Sequence, residues 1–132
     1  MLAQPTENQV LAAAAAIVQA FAGTDTESYF AKFSEDASFI FHPEPQRLNS
    51  RAEYEELWAS WLREGWRVVS CESSDPLVQS WPGGAAFSHT VATTVHVEGE
   101  GEESYVERES IIFKDVDGEL IAVHEHLSTI TA

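Results

Sequence analysis

Cysteine is almost absent from this chain: Cys71 is the only one in 132 residues. No intramolecular disulfide can form, and the usage fits a reducing compartment. Basic residues are scarce as well, with 7 Lys plus Arg against 22 Asp plus Glu and a formal charge of −15. So acidic a surface excludes nucleic acid and anionic membranes as partners, because phosphates need a basic patch. An anionic small molecule would need a shielded local positive site. Long apolar runs are also missing. "VLAAAAAIVQAFA" near the start is too short to span a bilayer. The preceding "MLAQPTENQ" has a Glu and no Lys or Arg, so the positive flank of a secretion signal is lacking. The run reads as a helix of the mature fold, in a cytoplasmic protein. There is no phosphate loop, Gly-x-Ser-x-Gly elbow or dinucleotide fingerprint.

What is present suffices for a single domain over residues 1–132. Hydrophobic residues make up 44% and aromatics 11%, and a chain of this length buries about two-thirds of its unfolded surface. Three capping-box spacings mark helix starts: Thr6 with Gln9, Thr24 with Glu27, and Ser50 with Glu53. The third helix is the clearest, since Tyr54, Leu57, Trp58, Trp61 and Leu62 repeat at i, i+3, i+4, i+7, i+8 and Gly65 supplies the stop. Such a stripe reads first as core, with Trp58 or Trp61 flooring a pocket. "ASFIFH", Ala37 to His42, reads as a strand. Four further β-runs follow, Trp66 to Trp81, Ala85 to Val97, Ser104 to Lys114 and Glu119 to Ile130. Pro82-Gly83-Gly84, Gly99-Glu100-Gly101 and Asp117-Gly118 break them apart. The order α-α-β-α-β-β-β-β predicts the α+β class, with a curved, mostly antiparallel sheet wrapped around helices.

"FSEDASFIFHP" (Phe33 to Pro43), "EYEELWASW" (Glu53 to Trp61) and "DGELIAVHEHLS" (Asp117 to Ser128) together resemble the SnoaL-like, nuclear transport factor 2-like superfamily. Ketosteroid isomerases, polyketide cyclases and the association domain of calcium/calmodulin-dependent kinase II belong to it, and "VHEHLS" and "EELW" are most similar to the last branch and its bacterial relatives. The resemblance covers nearly the whole chain. It implies a cone-shaped fold with a pocket between helices and sheet, the face carrying Leu127 lining that pocket. It says less about activity, because one fold hosts many functions.

Successive side chains on a strand point to opposite faces. Val123, Glu125 and Leu127 therefore share one face, and His124, His126 and Ser128 the other. On the preceding strand Glu107, Glu109 and Ile111 fall on the pocket side, while Arg108 and Ser110 fall on the convex side. The resemblance implies that the convex face forms a homodimer. His-x-His places two imidazoles side by side, but a catalytic zinc needs a third protein ligand. His42, His89 and His96 offer no fixed spacing for one, so structural histidines are favoured and neither metal nor cofactor is expected. For proton-transfer chemistry the candidates are His42, Glu109 and Glu125. Imidazole titrates near neutral pH, and a carboxyl facing an apolar pocket has a raised pKa unless paired. Either glutamate could instead pair with His89 or lie near the rim. Tyr54, Trp58, His89, Ile111, Val123 and Leu127 are the expected ligand-binding residues. The resemblance places Ile111 and Leu127 where the kinase association domain carries pocket arginines, so anion capture of that kind is not expected. A small organic molecule is the expected partner, handled by an isomerase or lyase or held by a non-catalytic binding or assembly domain.

Overall fold

The computed structural model describes residues 2–130. Three helices, α1 (Glu7–Ala22), α2 (Thr26–Phe30) and α3 (Arg51–Arg63), pack on the five strands β1 (Phe33–Phe41), β2 (Trp66–Trp81), β3 (Gly84–Val97), β4 (Gly101–Val116) and β5 (Glu119–Thr129). The strand order is β1-β5-β4-β3-β2, with β1 parallel to β5 and every other pair antiparallel. This is the α+β cone architecture expected from the sequence.

Each helix start follows from local hydrogen bonding. In α1 the Gln9 N–H donates to Thr6 Oγ1 (3.1 Å) and the Thr6 N–H to Gln9 Oε1 (2.8 Å), a complete capping box. At α3 the Ser50 hydroxyl accepts from the Glu53 N–H at 3.2 Å, but the Glu53 carboxylate turns to the Asn49 N–H at 3.3 Å. The box expected at α2 does not form. Asp25 is the cap, accepting from the Ser28 N–H at 3.3 Å. Thr24 adopts a left-handed φ of 50°, and its hydroxyl accepts the Val68 N–H at 2.8 Å, tying α2 to β2. Gly65 ends the turn after α3 at φ 85°, where an added Cβ would lie 2.5 Å from Glu98 Cβ.

The first strand begins earlier than expected, at Phe33, and its register against β5 breaks between Phe33 and Ser38. The irregularity pushes Glu35 and Asp36 to the surface while Phe33, Ala37, Phe39 and Phe41 stay buried. His42 falls just past the strand, in a turn. The β3–β4 ladder is regular from Gly84↔Lys114 to Val97↔Gly101, so alternation holds along β4 and Glu107, Glu109, Ile111 and Phe113 all face inward and are buried. Between β4 and β5 the register shifts beside Ile112 and Phe113, which pair with His124 and Ala122. That one-residue bulge puts both Ala122 and Glu125 on the inner face.

The core beside α2 and α3 is aromatic. Trp58 is fully buried, stacked on Tyr29 at 5.0 Å and edge-on to Trp66 at 4.9 Å, and its indole N–H donates to Thr26 Oγ1 at 2.9 Å. Removing so large a buried ring leaves a cavity as well as losing transfer free energy. Trp58→Ala is expected to lower the unfolding free energy by about 3–5 kcal/mol in urea denaturation, and a loss under about 1 kcal/mol would contradict the packing.

Candidate functional site

A cavity of about 500 Å3 opens between the helices and the concave face of the sheet. Ile17, Val18, Phe21, Trp61, Trp66 and Leu127 are part of its apolar wall. The polar wall is acidic: Glu107, Glu109 and Glu125 lie on β4 and β5, and Glu44 and Glu103 are more exposed. Among the described residues no Lys or Arg lines it.

Glu109 and Glu125 are both buried and are diagonal neighbours across the β4–β5 ladder. Two carboxylates cannot both stay charged in such a place. Burial pushes the Glu125 carboxyl well above its usual 4.5, and the neighbouring Glu109 charge pushes it further. Glu109 is also raised by burial. Burial together with the mutual repulsion of the two carboxylates therefore favours a proton on the pair, with Glu125 the more strongly raised. Tyr29 O–H donates to Glu125 Oε1 at 3.4 Å, which leaves Tyr54 O–H as donor in the 3.0 Å contact between the two tyrosines. Burial pushes both phenols well above 10. They remain donors across the physiological range.

On the other side of the pair His89 Nε2–H donates to Glu109 Oε1 at 2.6 Å, and His89 Nδ1 accepts from Ser73 Oγ at 2.6 Å. Burial holds this imidazole neutral, down to about 4. Two residues along β4 from Glu109, the Glu107 carboxylate is hydrogen-bonded to His42 Nε2. Glu107 is nearly buried whereas the His42 side chain is 33% exposed, so the imidazole stands in the opening, oriented by an acid behind it. Cys71 also lines the cavity, with burial raising its thiol to about 11. Such a thiol stays protonated and is a poor nucleophile.

The model of the SnoaL-like domain matches residues 10–132. The chain belongs to the SnoaL-like family. No curated protein matches it in sequence. Solved structures of similar fold include a nuclear transport factor 2-like superfamily protein from Salmonella enterica serovar Typhimurium, 13% identical at a TM-score of 0.81 over 95% of this chain and 91% of that one. A ketosteroid isomerase-like protein from Erwinia carotovora atroseptica is 18% identical, with a TM-score of 0.78 over 95% and 96%. An NTF2-like protein from Cytophaga hutchinsonii is 14% identical, with a TM-score of 0.81 over 96% and 99%. At these identities the likeness establishes the fold alone.

Of the residues expected from sequence, this SnoaL-like cavity brings together His42, Tyr54, Glu109, Glu125 and Leu127. Four lie elsewhere. Trp58 is sealed in the aromatic core, and Trp61, one turn on, reaches the cavity instead. Ile111 is wholly buried beneath the wall, and His89 sits behind Glu109 rather than in front of it. Val123 is at the β5 bulge, which removes it from the alternation that carries Glu125 and Leu127. Glu107 joins the lining on the face that parity assigned to it, though without an expected role, and Tyr29 and Tyr105 join it unforeseen. The other two depend on which helix and strand lie across the cavity. Among the described residues no three His, Cys, Asp or Glu side chains converge as a metal site, and no helix is long and apolar enough to cross a membrane.

The shared proton has a consequence for stability. The folded chain keeps Glu125 protonated, whereas the unfolded chain releases that proton near 4.5, so wild-type stability falls as pH rises above 4.5 towards the folded value. Glu125→Gln imitates the protonated acid and lacks this loss. Its melting temperature is expected to gain on the wild type steadily from about pH 5 to about pH 8. A difference independent of pH would show that Glu125 carries no raised pKa.

Proposed function

We propose that this SnoaL-like protein binds a small, largely apolar organic molecule in the cone cavity and moves a proton on it, as an isomerase or lyase. The observation that carries the reading is the buried Glu109–Glu125 pair, which keeps a neutral carboxylic acid on the cavity wall at ordinary pH. Glu125, supported by the Tyr29 and Tyr54 hydroxyls, donates to a carbonyl oxygen as negative charge develops there. His42, held by Glu107, is the base. With its Nε2–H engaged by Glu107, its Nδ1 lone pair takes a proton from the carbon next to the carbonyl. The C–H electrons move into an enol-type intermediate, and the proton returns to the same or another carbon. In an isomerisation nothing is consumed. A ligand with one acceptor oxygen and a neutral ring system suits the aromatic wall and the absence of cationic partners; a carboxylate or phosphate does not.

A homodimer through the convex face of the sheet accompanies this reading, supported by Val106 at 50% exposure and by His124 and His126, whose rings lie 6.2 Å apart. The lone free thiol supports a reducing compartment such as the cytoplasm.

The test is hydrogen exchange at carbon. With β-tetralone, a neutral bicyclic ketone, and with tricyclic enones in D2O, the wild type is expected to incorporate deuterium beside the carbonyl about 100-fold faster than His42→Ala or Glu125→Gln. Binding of these ketones without any exchange above the buffer rate would replace the enzyme with the alternative, a non-catalytic binding or oligomerisation domain.

A further inference from the structure

The mechanism above uses the cavity side of the carboxyl pair and leaves its other side unexplained. There the hydrogen bonds continue away from the cavity. Glu125 lies diagonally across the ladder from Glu109, Glu109 accepts from His89 Nε2–H, and His89 Nδ1 accepts from Ser73 Oγ–H. The His89 side chain has no exposure at all, while Ser73 is exposed. Ser73 opens on a separate groove of about 470 Å3 between α1 and the sheet, bordered by Leu11, Ala15, Gln19, Pro76 and Phe87. Val18 and Cys71 line both spaces and form the partition between them. The hydrogen-bonded chain thus passes through the sheet side of this partition, from the reacting pair to a second solvent-facing surface.

The local backbone sets this up. The β2 register shifts between Ser74 and Leu77, with Asp75 at φ 52° and Pro76 beside it. The regular β2–β3 ladder is interrupted where His89 would otherwise be covered by a directly paired neighbour. Ser73 pairs with Val91 and reaches diagonally to the imidazole. The groups facing that imidazole are Glu109, Ser73 and the Phe87 ring, whose centroid is 4.6 Å away. Glu125, beyond Glu109, acts on it through its charge when ionised, and among the described residues no other side chain is hydrogen-bonded to its nitrogens.

We propose that His89 and Ser73 are a proton-exchange route between the Glu109–Glu125 pair and the groove between α1 and β2, keeping the pair in equilibrium with water while a ligand fills the cavity. The proposal rests on the proton-transfer reading above. In the inward direction Ser73 passes its hydroxyl proton to His89 Nδ1 and takes one from groove water. His89 passes its Nε2 proton to Glu109. One proton has entered and one has arrived, and the imidazole has changed tautomer. The outward step reverses each transfer and restores it, so the route carries exchange with no net consumption. His89 and Ser73 are positioning and relay residues here, since neither touches the ligand space.

The experiment follows exchange of the His89 ring N–H with water by nitrogen-15 NMR, in the free protein and with β-naphthol, a neutral bicyclic phenol, in the cavity. Exchange through the groove is expected to persist when β-naphthol saturates the cavity. Ser73→Val, which removes the hydroxyl and fills its place, is expected to slow it at least about tenfold, whereas Ser73→Thr restores it and His42→Ala leaves it unchanged. Exchange that is blocked by β-naphthol, quickened by His42→Ala and indifferent to Ser73→Val would overturn the route and place solvent access at the cavity mouth. Failure of β-naphthol to bind would count against the cavity reading alone. The contrast between Ser73→Val and His42→Ala in the free protein decides the route in that case.

Discussion

A single proton held between Glu109 and Glu125 is the constraint on which the rest of the site depends. Two ionised carboxylates in that position would repel each other at low dielectric, and removing both protons would leave two charges without a cation. Holding one proton between them needs the two strands in a definite relation. Glu109 pairs with Leu127 and Ile111 with Glu125, so the acids are diagonal neighbours on one face, and the β5 bulge is what turns Glu125 inward. His89 and Tyr29 then satisfy the remaining oxygens. Every buried side-chain N or O among the described residues has a partner, as a polar cluster beside an aromatic core requires.

The charge of the whole chain bears on what enters the cavity. With five glutamates and, among the described residues, no Lys or Arg in its lining, the interior extends the −15 of the sequence instead of countering it. The acids are managed individually: Glu107 by His42, Glu109 by His89, Glu125 by protonation. None of these leaves a positive centre free, so the field opposes anions and the aromatic wall favours neutral rings. Two imidazoles thus do different work in one small fold. His89 is sealed and neutral behind an acid, while His42 stands in the opening in front of one.

The architecture was legible because its signals are local. Caps at Thr6 and Ser50, the α3 stripe and the Asp117-Gly118 hairpin each rest on residues within a few positions of one another. Parity along β4 was legible for the same reason, since its ladder with β3 never slips. Sequence reasoning failed where an irregularity or a distant neighbour decides. Val123 was misplaced because a bulge in β5 breaks period two. Trp58 and Trp61 share a helical face, and only the position of Tyr29 and Trp66 shows which is sealed. Thr24 had the spacing of a cap, but β2 recruits its hydroxyl and Asp25 takes over. Glu107 lay on the expected face, yet its partner comes from a turn 65 residues away.

The central claim is tested most directly by following the side-chain carboxyl carbons of Glu109 and Glu125 by carbon-13 NMR as pH is raised. The account predicts coupled titration, with Glu125 remaining protonated well above 4.5 and Glu109 responding to the same transition. Independent titration of both carboxyls near 4.5 would contradict it, and the cavity would then hold two ordinary carboxylates with no proton to offer.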